Sequence, residues 1–421
     1  MATTIRVQGG PSAAGCTPEM ALPEVAGAWR GAAGAGEWVL TFDLGLVNRL
    51  AAVTVDRGGS ALQADSTVDV SSDGVLWQAI GALPPTALAR VPLGMPVRFV
   101  RLSWRSALPE AAPEVHGIEV GAAGAAPAGL GDVVRCPSRV DGTLQPARFL
   151  APTAAGAVPL VVGLHTWSGD YRQLYMPAIE AWCAEQGWAY IHPDFRGPSW
   201  TPEATGSDLA VADILDAVAW ARTAAAIDER RIYLVGGSGG GFHALLMAGR
   251  APEVWAGVSA WVPISDLAAW YHECRARQLG YAEHIVRSCG GAPGSSPAVD
   301  EQLRRRSPLT WLAQARGLPL DINAGIHDGH RGSVPVSHSL RAFNAVAAAG
   351  EAVAEDDIRF MVEHEAVPAA LQDTGLIDDS YGARRVLFRR HSGAARVTLF
   401  EGGHEVVESA ARAWLSRQCR G

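Results

Sequence analysis

The stretch RIYLVGGSGGGFHALLMAGR, residues 231–250, decides the fold. RIYLVGG is a short apolar run with β-branched residues, and it predicts a buried strand. GFHALLMAGR has the composition of a buried helix. Between them Gly236-Gly237-Ser238-Gly239-Gly240 reads G-x-S-x-G, a serine lifted on a tight strand-to-helix turn. Glycines are needed there because a Cβ on either side would clash with neighbouring backbone. The N–H groups opening the following helix would face an oxyanion formed beside that serine.

The same alternation extends outward. VPLVVGLH (158–165) is another buried-strand run, and SDLAVADILDAVAWARTAA (207–225) has apolar residues at helical spacing behind a Ser-Asp start. Strands alternating with helices from residue 133 to 421 predict an α/β domain with a mostly parallel sheet flanked by helices. Residues 1–120 read differently. WVLTFDL (38–44), LAAVTV (50–55), STVDVS (66–71) and VRFVRLSW (97–104) are short β runs separated by turn signals, as in an all-β sandwich. Residues 121–132, with GAAGAAPAGLG, have linker composition.

Composition removes whole classes of chemistry. No lysine occurs, so all 35 basic side chains are arginines. A Walker A loop, a protein kinase, a pyridoxal-phosphate enzyme and a Ser-Lys hydrolase each need a lysine. The net charge of −8 comes without a basic stripe, so no nucleic-acid partner is expected. No apolar run reaches membrane-spanning length, and MATTIRVQGG lacks a signal-peptide core; a cytoplasmic location is the default expectation, export following only if a leader was removed. Six scattered cysteines form no CxxC pair, and Cys274 and Cys289 read either as a loop clip or as two separate buried thiols.

Residues 25–120 resemble the discoidin (coagulation-factor C-type) family through EWVLTFDLG, VDVSSDGVLWQAI, PVRFVRLSW and HGIEV. That resemblance implies a jelly-roll sandwich that either binds carbohydrate or packs as a purely structural module. The C-terminal region resembles the α/β-hydrolases, specifically the prolyl-oligopeptidase-like branch. HPDFRGP (192–198), DERRIYLVGGSGGG (228–241), VSAWVPISDLAAWY (258–271), GIHDGHRGSVPVSHS (325–339) and FEGGHE (400–405) carry it. In these hydrolases the chain order is Ser, then Asp or Glu, then His. Asp328, just past the strand LPLDINAG, and His404, in the loop before the last helix, fit that order. The resemblance implies Ser238 as nucleophile, His404 as general base and Asp328 as its orienting partner.

Other groups fit less well. Asp321 lies on a strand, Glu405 follows the histidine, and His165, His192 and His243 precede or crowd the serine. His327 and His330 lack a third ligand, so no metal is expected, and the mechanism implies no cofactor. The loop His165-Thr166-Trp167 stands where these hydrolases carry oxyanion donors, which assigns the oxyanion to Gly239 with Thr166 or Trp167. His165, Trp167 and Trp200 are candidate substrate contacts.

Two departures stand out. The peptidases of this branch carry a β-propeller, whereas a sandwich is expected here. Asp328 and His404 are also widely separated, with 351–394 read as a small helical insertion. The expectation is therefore a serine carboxylic-ester hydrolase acting on a carbohydrate-linked acetyl or feruloyl ester or other small ester, with self-association open. The alternatives are a serine peptidase or aminopeptidase of the prolyl oligopeptidase type, and a non-catalytic carbohydrate-binding protein.

Overall fold

A computed structural model describes residues 6–21, 28–56, 65–71, 77–82, 88–92, 96–106, 112–115, 117–122, 131–173, 175–372 and 375–421. The chain divides into two compact units, one of residues Met1–Ala126 with Cys274–Glu283, the other of Pro127–Glu273 with His284–Gly421.

The first unit is β-rich and antiparallel. The separate runs 38–44 and 50–55 are parts of a single long strand, Glu37–Asp56. Its first half pairs with Arg6–Gly10 and Pro96–Arg105, its second half with Leu88–Pro92 and Gly117–Ala122. Alternation decides which side chains turn inward: Trp38, Leu40 and Phe42 are buried together with Trp29, Val68, Leu102 and Trp104. Much of the SSDGVLW segment and the 123–130 stretch lies outside the described residues.

The second unit is an α/β-hydrolase domain. Its sheet contains β1 (Asp132–Pro137), β2 (Leu144–Leu150), β3 (Val158–Leu164), β4 (Ala189–Pro193), β5 (Ile227–Gly237), β6 (Gly257–Trp261), β7 (Leu320–Gly325), β8 (Val386–Ser392) and β9 (Ala395–Phe400). The spatial order is 1-2-4-3-5-6-7-9-8. The central pairs 4-3, 3-5, 5-6, 6-7 and 7-9 are parallel, and the pairs at both edges are antiparallel. β3, β4, β6 and β7 are buried along their whole length, which explains their unbroken apolar runs.

Helix Asp208–Ala224 starts where the sequence signals it, with the Ser207 hydroxyl accepting from the Ala210 N–H. Helix Gly239–Arg250 is buried from Gly239 through Gly249 and forms the centre of the core. The 351–394 segment is only partly helical. Glu355–His364 is a helix, but VLFRRHS is β8, one of the sheet's two outer strands, paired antiparallel with β9. No disulfide links the six cysteines, so Cys274 and Cys289 are separate buried groups.

Candidate active site

The sheet's topology gathers three loops at the carboxyl ends of its strands. β5 ends at Gly237, and Ser238 follows with φ 56° and ψ −120°, a conformation a side chain adopts only under constraint. Hydrogen bonds hold it there: the Ser238 N–H donates to Trp261 O at 2.9 Å and Phe242 N–H to Ser238 O at 2.8 Å. The flanking glycines are dictated by close approach. A Cβ on Gly236 would lie 2.3 Å from Gly240 O, and one on Gly240 would lie 2.5 Å from Leu164 O.

The structure brings Ser238, His404 and Asp328 into one hydrogen-bonded line. His404 Nε2 is 2.8 Å from Ser238 Oγ, and His404 Nδ1 is 2.8 Å from Asp328 Oδ2. Asp328 is buried, and its Oδ1 accepts from the N–H groups of Gly329 at 2.9 Å and Val334 at 3.2 Å. Those two donors occupy one carboxylate oxygen and leave the other for the imidazole. An ionised carboxylate only accepts, so Nδ1 carries the proton and Nε2 is left to accept from the serine hydroxyl.

Two further glycines make this closeness possible. A Cβ on Gly332 would fall 2.2 Å from Asp328 Oδ1 and 2.5 Å from His404 Cβ. At Gly402 it would meet the Phe400 ring and Glu405 at 2.6 Å, whereas Gly403 faces open space. Tyr175 stands on the other side of the turn, its hydroxyl 2.8 Å from where a Gly237 Cβ would be. Burial, and then the charges of Asp328, Glu408 and Glu405, push the Tyr175 hydroxyl up, so it stays protonated. The sequence offered no signal for Gly332 or Tyr175.

The oxyanion side corrects one expectation. Thr166 is not a free donor: its N–H donates to Gln173 Oε1 at 2.8 Å, while Gln173 Nε2 donates to Thr166 Oγ1 at 2.8 Å. The Trp167 N–H finds no acceptor among the described residues and lies beside Gly239, where a Cβ would be 2.2 Å from Trp167 N. Gly239 opens its helix, and an N–H in the first turn of a helix lacks an intrahelical partner. The Trp167 and Gly239 backbones thus lie side by side.

His165 is corrected as well. It is fully buried, its ring nitrogens lie 2.9 Å from Thr166 O and 2.8 Å from Asp194 O, and it stacks on Phe195 at 3.8 Å, so it supports the loop from behind instead of facing a ligand. Phe195 and Arg196 both have positive φ, and Arg196 is pinned by Asp213 and Asp141. Trp167 is buried edge-on to Trp270, and its indole N–H donates to His284 Nδ1 at 3.2 Å; the half-buried Trp200 meets the same imidazole at 5.2 Å. His243 is unsuited to act as base: burial pulls it down to about 4, and it bonds Gly239 O and Gly206 N–H beneath the turn.

Residues 175–366 match the model of the prolyl oligopeptidase family. The match includes Ser238 and Asp328, ends before His404, and covers less than half of the chain. The matched residues lie within the α/β-hydrolase domain described above. No curated protein matches the chain. Among solved structures, the chain is similar to an acylaminoacyl peptidase of Pyrococcus horikoshii, at 18% identity and TM-score 0.43, over 52% of this chain and 34% of that one. It is also similar to a puromycin-hydrolyzing peptidase of Mycobacterium tuberculosis, at 17% identity and TM-score 0.43, over 61% and 43% of the two chains. A module designated CpGH89CBM32-4, from Clostridium perfringens, aligns at 14% identity and TM-score 0.25, over 28% of this chain and 96% of its own. The chain spans about a third of the length of the acylaminoacyl peptidase. No helix among the described residues is long and apolar enough to cross a membrane.

Proposed function

We propose that this chain is a serine hydrolase of the prolyl oligopeptidase type that cleaves acyl–amide bonds in peptides or aminoacyl amides. One observation carries the reading. The residues matched to that family hold Ser238 and Asp328, and His404 lies in hydrogen-bonding line between them. The carbohydrate-ester expectation drew on the N-terminal resemblance and on the lack of a propeller. The family match supports the peptidase alternative instead.

The mechanism follows from the directions of the hydrogen bonds. Ser238 Oγ attacks the carbonyl carbon as its proton passes to His404 Nε2, and Asp328 stabilises the resulting imidazolium through Nδ1–H. The negative charge formed on the carbonyl oxygen is met by the Gly239 and Trp167 N–H groups. His404 then gives the Nε2 proton to the leaving amine, the C–N bond breaks, and an acyl-Ser238 ester remains. Water attacks that ester with the same base and releases the acid.

The test is a comparison of kcat/KM on acyl-aminoacyl and aminoacyl p-nitroanilides with that on p-nitrophenyl acetate. Measurable amide turnover, lost in Ser238→Ala, is the expected result. Ester turnover with negligible amide turnover would return the reading to an esterase. An unchanged rate in Ser238→Ala would remove the serine mechanism.

A further inference from the structure

Beside the Ser238–His404–Asp328 line lies a charged array that the reaction scheme leaves unused. His327 Nδ1 is 2.7 Å from Glu365 Oε2, and its Nε2 is 2.7 Å from Glu401 Oε1. Carboxylates at both ends of the ring are acceptors, so both nitrogens donate and the ring is an imidazolium. Its main-chain N–H adds a third tie, donating to Gly402 O at 3.0 Å.

The array joins three segments. His327 precedes Asp328 in the loop after β7. Glu401 opens the Glu401-Gly402-Gly403-His404 loop after β9. Glu365, at φ 49°, ends helix Glu355–His364. The loops bearing Asp328 and His404 leave the ends of the paired strands β7 and β9, and the array ties them together beyond the last paired residues, Gly325 and Phe400. An isolated exposed ion pair would matter little. This one is a double clamp, one residue from Asp328 and three from His404.

We propose that His327, in its charged form, is a positioning residue for the hydrolysis: by holding Glu401 and Glu365 together it keeps the His404 loop seated on the Asp328 loop. The inference rests on the reading of Ser238, His404 and Asp328 as the catalytic apparatus. Loss of the His327 proton turns one clamped nitrogen into an acceptor facing a carboxylate, and the clamp opens.

The groups facing His327 define its titration. Asp328, His330 and Arg331 share its loop; Glu365 follows the helix; Glu401 lies on the His404 loop; and Arg385 borders the same hollow as Glu365 and Glu401. His330 is itself engaged, with Nε2 donating to Val362 O at 2.6 Å and Nδ1 3.7 Å from Glu365. Burial pulls the His327 imidazole down, but hydrogen bonds to Glu401 and Glu365 outweigh it and hold the ring above its ordinary value.

The experiment is the pH dependence of kcat for wild type, His327→Gln, Glu365→Gln and Glu401→Gln. Wild type should lose activity on the alkaline side, above the ordinary imidazole range. Each Glu→Gln change should move that fall to lower pH. His327→Gln should cut kcat about tenfold near neutrality with KM within about twofold, and should abolish the alkaline fall. A wild-type kcat in His327→Gln, or an alkaline limb identical in all four proteins, would overturn the proposal. A separate readout needs no turnover. In Ser238→Ala, NMR titration of the His327 ring should show a raised midpoint that drops when Glu365 becomes Gln; an ordinary midpoint refutes the charged clamp. Failure here leaves Ser238→Ala inactive, whereas failure of the functional reading leaves Ser238→Ala active, so the two are distinguishable.

Discussion

Gly332→Ala is the sharpest test of the Asp328–His404 geometry, because it alters no chemical group of the reaction. The added methyl would begin 2.2 Å from Asp328 Oδ1 and 2.5 Å from His404 Cβ, where ordinary contact starts near 3.4 Å. Gly332 has no positive φ, so alanine is acceptable to the backbone and the conflict is purely one of space. Relief requires the carboxylate or the imidazole to retreat by about 1 Å, and misplacement on that scale costs roughly 10²-fold in rate. That factor corresponds to about 2.7 kcal/mol of barrier. The assay is steady-state turnover of whichever p-nitroanilide or p-nitrophenyl ester the wild type cleaves fastest, with circular dichroism to verify folding. The expected result is a kcat near 1% of wild type with KM little changed. Gly403→Ala is the matched control: it is one residue from His404, faces nothing within 4 Å, and should retain kcat within about twofold. A folded Gly332→Ala enzyme with near-wild-type kcat would refute the argument that this hydrogen-bonded line limits the reaction.

Three further outcomes follow from the geometry. Gly239→Ala drives a methyl to 2.2 Å from Trp167 N and should lower kcat by about 10² to 10³, the cost of losing an oxyanion donor, read in the same turnover assay. Arg196→Ala strands the buried Asp213 carboxylate and should cost about 3 kcal/mol by urea denaturation, a surface-like loss below 1 kcal/mol counting against it. The His327 clamp also has a signed effect on stability, since its folded-state value is raised. Its contribution is fully present below about pH 6.5, the unfolded imidazole value, and is lost as pH rises through the folded value. The Tm gap between wild type and His327→Gln should therefore narrow toward alkaline pH.

Legibility in the sequence followed the locality of each signal. The α/β alternation and the Ser238 turn could be read because strand, glycines and helix are contiguous. Asp328 and His404 could be picked out because each follows an apolar strand in the order the resemblance implies, and the structure sets His404 against Ser238 and Asp328 behind His404. The choice between Thr166 and Trp167 could not be read. It depends on the Gln173 side chain, which occupies one amide and leaves the next exposed. VLFRRHS was hidden because an edge strand with arginines lacks the unbroken apolar run of the central strands, and its partner is supplied only by the fold. Gly332 and the Glu365–His327–Glu401 clamp are tertiary coincidences that no spacing encodes.

The backbone at Ser238 has a consequence for evolution as well as for chemistry. A residue held at φ 56° and ψ −120° carries on the order of 1–3 kcal/mol of strain, which a glycine would not. Ser238→Gly should therefore raise the unfolding free energy while abolishing hydrolysis. Selection for stability alone would drift away from this serine. A thermal-stability screen blind to activity would therefore be expected to discard this serine early, although it is one of several non-glycine residues held at positive φ.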